Sequence, residues 1–250
     1  MSDVLVLCYH AVSERWDADL SITPRALEEQ LGLLVRRGYR GATFTEAVTS
    51  QPGGKVLAVT FDDAYRSVLE LGFPILARLG LAGSVFVPTD FAGTERPMSW
   101  PGIEQWVGGP FERELMPMSW DELEQLSEDG WEVGSHTRSH PHLTRLDDAS
   151  LEAELRGSRE ACEARLGRPC ESLAYPYGDH DGRVVAAAGA AGYRFAGTLP
   201  TRFGSSNPLS WPRVGIYFGD EGPRFKAKVS RLVRGLRASR AWEAADRFRK

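Results

Sequence analysis

Two aspartates stand side by side at Asp62 and Asp63, directly after the apolar run KVLAVTF, and two histidines, His136 and His140, stand four residues apart in SHTRSHPHL. Adjacent free carboxylates repel each other; a divalent cation bound by one relieves the repulsion and leaves the other beside the ion. The two imidazoles can reach one ion if their loop turns into a helix. With one carboxylate they form a set of two histidines and an acid, which keeps coordination positions open for water and substrate, as a catalytic metal requires. One aspartate can then hold the ion while its neighbour takes a proton. Taken singly, H-x-x-x-H also describes two solvated loop histidines, and Asp-Asp also describes a helix N-cap with a first-turn acid. Together, each at the end of a strand, they point to one site.

The elements that must position these residues form an alternation of short apolar runs and segments of helical period, the pattern of an α/β fold with a parallel sheet. Strands are expected at 4–9, 55–61, 83–89, 131–136, 172–177, 192–198 and 211–216. Helices are expected after the Thr23-Pro24 cap, from about Tyr65 to Leu79 with a kink at Pro74, after the Ser119/Glu122 capping box, and at about 148–167 and 181–191. His10, Asp62, Asp63, His136, Tyr177 and Thr198 each follow a strand, so a parallel sheet carries them to one face. Residues 90–118, rich in Pro and Gly and carrying Phe91, Trp100, Trp106 and Phe111, read as an ordered loop over the sheet edge.

The bulk composition fits a soluble α/β chain: 250 residues, 42% hydrophobic and 26% charged. A net charge of −4 argues against a nucleic-acid partner. Cys8, Cys162 and Cys170 form no CxxC pair and are odd in number, so they read as buried thiols in a reducing compartment. No basic leader precedes the first strand and no run reaches the ~20 apolar residues of a membrane span. The expected location is therefore the cytoplasm.

The chain divides into an α/β unit over residues 1–221 and a basic tail over 222–250, where ten Lys or Arg face only Glu243 and Asp246. Phe225, Val229, Leu232, Val233 and Leu236 recur on one helical face, with Arg231, Arg234, Arg237 and Arg240 on the same helix. This reads first as a last helix packed on that α/β unit with a solvated basic side. The sharper reading is an interfacial helix at the anionic inner face of a membrane.

The motifs resemble those of the polysaccharide deacetylase family, the NodB-homology domain of carbohydrate esterase family 4. Thr60-Phe61-Asp62-Asp63 matches its first motif with Ala64 in place of the usual glycine, and His136-Thr137-Arg138-Ser139-His140 matches its second. Ala174-Tyr175-Pro176-Tyr177 keeps the proline and aromatic residue of the third motif without its arginine. The match covers about residues 4–216. The resemblance implies a distorted (β/α) barrel, TIM-like with about seven parallel strands, in which Asp62 is the base and Asp63, His136 and His140 hold a divalent metal. Zinc is the first expectation, with cobalt, nickel or iron open to the same ligands.

The resemblance further implies that the backbone N–H of Tyr177 is the oxyanion donor. Arg213, in WPRV, is the candidate for the missing arginine. The family's late histidine has no counterpart, since all five histidines lie at or before position 180; His10 and His180 are the candidate acids. The implied reaction is hydrolysis of an N-acetyl group, or an O-acetyl group, on an amino-sugar-containing saccharide or glycolipid. The alternatives are a catalytically impaired carbohydrate-binding homologue and an iron oxygenase built on two histidines and one carboxylate, which does not need the second aspartate. A phosphate-handling enzyme is disfavoured by the absence of a GxGxxG or Walker loop.

Overall fold

The amino-terminal apolar run forms β1 (Asp3–Tyr9) in the computed structural model, which describes residues 3–49, 53–200, 203 and 207–239. β2 (Ala11–Val12) and β3 (Ser21–Ile22) make a small side ribbon. α1 (Pro24–Arg36) starts where the Thr23 side chain accepts from the Ala26 N–H, with proline in the first turn, and the chain leaves it through Gly38 at φ 81°. β4 (Tyr39–Ala42) was not expected: YRGA has no apolar run, and its pairing with the first half of β5 (Lys55–Phe61) makes it a strand. Between them lies α2 (Phe44–Thr49). The helical stretch after β5 widens into a π turn at Val68–Gly72 before α3 (Phe73–Arg78). Pro74 has no N–H to return to the preceding turn, and the chain meets that loss by widening.

β6 (Gly83–Val87) precedes the long loop, and α4 (Trp120–Glu128) opens with both hydrogen bonds of the Ser119/Glu122 capping box in place. β7 (Glu132–Ser135), α5 (Asp148–Leu166), β8 (Ser172–Ala174), α6 (Gly182–Ala190) and β9 (Phe195–Thr198) continue the alternation. The stretch expected as one strand at 211–216 is two, β10 (Trp211–Pro212) and β11 (Val214–Gly215). α7 (Gly222–Val229) and α8 (Arg231–Arg237) follow.

The sheet runs β10-β9-β8-β7-β6-β5-β1-β11, with β4 also on β5, and every pairing is parallel. β10 and β11 are its two edges. Trp211 pairs with Gly197 on one side and Val214 with Leu7 on the other, so a single short segment joins both edges and the ring closes at Arg213. The fold is a distorted (β/α) barrel; β4 and the split strand raise the expected seven strands to nine among the described residues.

Strand alternation sorts the residues between two packed layers. Leu5, Leu7, Leu57 and Val59 face the helices, where they meet Leu27, Leu31 and Leu34 of α1. Val6, Val56, Ala58, Phe86, Ala174 and Phe195 form a smaller cluster inside the ring. Continuing the same period, the inward positions of β1 and β5 change from apolar to polar near their carboxyl ends: Cys8 and His10 on one, Thr60 and Asp62 on the other. The barrel interior thus becomes a site at one end.

The three cysteines are buried free thiols. No described helix is long and apolar enough to cross a membrane. α7 lays Phe225 and Val229 onto the barrel, but the chain breaks at Ser230 (ψ 128°), so the single apolar face expected over 225–236 does not form. Leu232 and Leu236 are turned out, 74% and 55% exposed. Arg240 lies outside the described residues.

Candidate active site

The turn after β5 explains the paired aspartates. Asp62 still belongs to the sheet, its N–H donating to the Tyr9 carbonyl at 2.9 Å, whereas Asp63 and Ala64 take left-handed backbone angles, φ 67° and 52°. The reversal separates two neighbouring carboxylates into different surroundings. Arg213 donates to both oxygens of Asp62, Nη1 to Oδ1 at 2.6 Å and Nη2 to Oδ2 at 2.8 Å, and Cys8 Sγ donates to Oδ2 at 3.3 Å. Nη1 also donates to Thr60 Oγ1 at 3.0 Å. A side chain at position 197 would put its Cβ 2.6 Å from Arg213 Nε, so Gly197 is what lets the guanidinium cross the barrel. Burial opposes ionisation of Asp62, but the Arg213 charge outweighs it and holds the carboxyl well below the usual range. Arg213, on the barrel's closing segment, thus brings to Asp62 a guanidinium that the third motif lacks.

Asp63 turns to the histidines. Its Oδ1 lies 3.3 Å from His136 Nε2 and 3.4 Å from His140 Nε2, and this buried oxygen has no hydrogen-bond partner. His136 Nδ1 is 2.8 Å from the Ala174 carbonyl and donates to it, which presents Nε2 to the site. Burial pushes the His140 pKa down to about 3, so its imidazole is neutral. Burial also opposes charge on His136, but Asp62 and Asp63 outweigh it and raise its pKa. Around Asp63 the histidines and His10 likewise outweigh burial and lower the carboxyl pKa. The three ligand atoms lie within 4.8 Å of one another. An orphaned carboxylate oxygen facing two Nε2 atoms fits a divalent cation.

The histidine loop brings both imidazoles together without turning into a helix, contrary to the expectation. Thr137 and His140 take φ 66° and 61°, and the loop is clamped by Glu154 of α5, which accepts from the Arg138 N–H at 2.8 Å, the Ser139 N–H at 3.0 Å and Ser139 Oγ at 2.6 Å. The five non-glycine residues with positive φ among those described are Asp63, Ala64, Thr137, His140 and Tyr177. All lie in the three motifs, so the backbone strain of the fold is gathered at the site.

A cavity of ≈ 670 Å³ opens over these groups. His10, Asp62, Asp63, His136, His140 and Tyr177 all line it. The long loop covers one side, with the Trp100 ring stacked on His140 at 4.1 Å. Tyr177, at φ 59°, stacks on His142 at 4.0 Å and donates its hydroxyl to the Pro101 carbonyl at 3.2 Å. Its turn is closed by the N–H groups of Gly178 on Tyr175 O and of Asp179 on Pro176 O, neither of which uses the Tyr177 amide.

His10 is buried with Nδ1 lacking a partner, and burial lowers its pKa. His180 is not part of the cavity wall: its ring stacks on Tyr175 at 5.1 Å and Nδ1 lies 2.9 Å from Gly178 O. Thr198, expected with the strand-end group, instead directs its hydroxyl to the Trp211 carbonyl at 3.4 Å. Sequence reasoning missed the roles of Cys8 and Glu154. Neither has a local signal, since each acts on a residue distant in the chain.

Paired carboxylates and imidazoles at the carboxyl end of a parallel barrel define the site of a (β/α)-barrel enzyme. The particular family is polysaccharide deacetylase, whose sequence profile matches residues 49–196, and the chain belongs to it. Members are enzymes that act on carbon–nitrogen bonds other than peptide bonds in acetylated saccharides, and they depend in general on a divalent metal.

Among curated proteins, YxkH of Bacillus subtilis (strain 168) is 21% identical over 234 residues, covering 91% of this chain and 76% of YxkH. Among solved structures, the Streptococcus pyogenes deacetylase PplD aligns with a TM-score of 0.75 at 19% identity, over 91% of this chain and 98% of PplD. The Bacillus cereus polysaccharide deacetylase BC0361 aligns with a TM-score of 0.73 at 26% identity, over 90% and 68%.

Proposed function

We propose that this chain removes the acetyl group from the nitrogen of an amino sugar in a saccharide or glycolipid, with Asp62 as base and Asp63, His136 and His140 as holders of a divalent cation, zinc first. One observation carries the reading: within a single turn, Asp62 is gripped by Arg213 while Asp63 presents an unpartnered oxygen to two imidazoles. An iron oxygenase has no use for that second carboxylate with its own arginine.

A cation on Asp63, His136 and His140 would supply Lewis acidity, lowering the pKa of a water and polarising the acetyl carbonyl. Asp62, ionised and fixed in plane by the guanidinium fork, accepts the proton of the attacking water. The Tyr177 amide N–H, which closes no hydrogen bond of its own turn, would donate to the oxygen that gains charge as the carbonyl carbon becomes tetrahedral. The carbon–nitrogen bond then breaks, and the nitrogen must take a proton to leave as an amine. His10 is the acid that this reading assigns to give it, supported by ligand atoms of its ring and of Asp62 within 4.8 Å, a separation that one water can bridge for the proton just taken. The products are acetate and the free amino sugar.

The test is acetate release over a panel of N- and O-acetylated sugars with metal-stripped and metal-restored protein. Asp62→Asn is expected to lower turnover on the order of a thousandfold while bound metal is retained. His136→Ala is expected to lose both. An active Asp62→Asn protein removes Asp62 as the base, and activity only on O-acetyl sugars moves the substrate from amide to ester.

A further inference from the structure

The end of the barrel opposite the cavity carries a different surface. A recess of ≈ 310 Å³ at the amino ends of β1, β4 and β5 is lined by Arg37, Lys55, Lys226 and Arg231, with Tyr39 and Asp3. Asp3, the acid among them, is already engaged by Arg234 at 2.7 and 2.9 Å and by the Tyr39 hydroxyl. The cations around it therefore exceed the acids.

α8 begins at this end, with Arg231, Arg234 and Gly235 turned toward β1, and at its last residue Arg237 donates to the Pro200 carbonyl beyond β9. Its other side presents Leu232 and Leu236, four residues apart and so on one face. Residues 222–239 contain Arg224, Lys226, Lys228, Arg231, Arg234 and Arg237 and no acid, in a chain whose net charge is −4. The sequence continues with Arg240, Arg247, Arg249 and Lys250 against Glu243 and Asp246.

We propose that this end of the barrel docks on the surface of an anionic phospholipid bilayer, with Leu232 and Leu236 entering the acyl boundary and Arg37, Lys55, Lys226 and Arg231 meeting the headgroups. Exposed leucines set among cations are the composition of an interfacial segment. A nucleic acid would satisfy the cations but leave the leucines without a role, and a second copy docked here would set cations against cations.

The orientation follows from the strands. β1 runs from Asp3 at this base to Tyr9, next to His10 at the mouth, and its seven residues span roughly 23 Å at about 3.3 Å each. The cavity therefore opens away from the bilayer. An anchored enzyme would reach saccharide on the aqueous side, and a glycolipid in the same bilayer would hold its sugar at the wrong end, so this orientation favours saccharide over glycolipid as the substrate.

Flotation of the full chain with vesicles reads this without reference to its chemistry. Binding is expected with phosphatidylglycerol and phosphatidylcholine in equal parts, to weaken as salt rises, and to be absent with phosphatidylcholine alone. K226Q/R231Q is expected to bind roughly thirtyfold more weakly, at about 1 kcal/mol per cation. L232S/L236S is expected to lose binding with an unchanged Tm, and acetate release from a soluble oligomer is expected to be the same on and off vesicles. Absence of flotation with the anionic vesicles overturns the proposal. So does a lower Tm for L232S/L236S with flotation intact, which would mean that the leucines pack within the protein. Tighter binding to duplex DNA than to anionic vesicles, or loss of soluble-substrate turnover on them, also overturns it.

Discussion

The two ends of the barrel each hold an aspartate against an arginine, and they use the pair differently. At the mouth, Arg213 meets Asp62 as a fork, one nitrogen on each oxygen, fully buried and backed by Thr60 and Cys8. At the base, one nitrogen of Arg234 reaches both oxygens of Asp3, with Tyr39 completing the set, and the pair ties α8 to β1. The mouth also gathers the left-handed non-glycine residues and leaves buried atoms of His10, Asp63 and His140 without partners. At the base, both oxygens of Asp3 are engaged. Incomplete satisfaction next to strained backbone marks where a ligand is expected to finish the structure; full satisfaction marks a tether.

The strongest way to break this contrast is to remove each arginine. Arg213→Met leaves a buried carboxylate alone and is expected to cost about 3–5 kcal/mol in a denaturant melt, with turnover down about a hundredfold or more. Arg234→Met is expected to cost about 1–2 kcal/mol and to leave acetate release unchanged. Equal effects on turnover would end the distinction between positioning and tethering.

Acid sharpens it further. Burial alone would raise the Asp3 pKa, but the hydrogen bonds from Tyr39 and Arg234 outweigh it and set the folded value below the unfolded one. Its contribution is therefore full above the unfolded value near 4 and is lost as pH falls through the folded pKa. Asp3→Asn is expected to be less stable than the parent at neutral pH, with the gap in melting temperature closing as the solution is made strongly acidic. A gap that widened in acid would refute the assignment.

Two smaller effects test the mouth alone. Cys8→Ala removes one weak donor from Asp62 and is expected to lower kcat several-fold with KM unchanged, while Cys8→Ser restores it. Ala64→Gly removes a Cβ from a left-handed position and is expected to raise stability by about 1 kcal/mol, read as a higher denaturation midpoint. No gain at position 64 would show that its buried methyl group contributes as much as its backbone strain costs.

Much of the barrel was legible because its strands are buried on both faces and therefore read as continuous apolar runs, β5 to the residue. β4 was not, because YRGA becomes a strand only by pairing with β5. The split of the closing strand was hidden for the same reason: Trp211 and Val214 look alike in the chain and find partners on opposite edges of the sheet. At the carboxyl terminus, helical period placed Leu232 and Leu236 with Phe225 and Val229, but a break at Ser230 turns them to solvent.

Local sequence determined the chemistry available to this protein. The order of apolar runs set the barrel, and strand alternation carried Asp62, Asp63, His136, His140 and His10 to one end of it. Tertiary structure decided how that chemistry is divided. Left-handed turns that no single residue type announces sent the two aspartates to different partners. Arg213 reached Asp62 across 151 positions of chain because the two sheet edges meet at it and Gly197 leaves it room. Such contacts depend on ring closure and backbone reversal, which arise only when distant segments pack together.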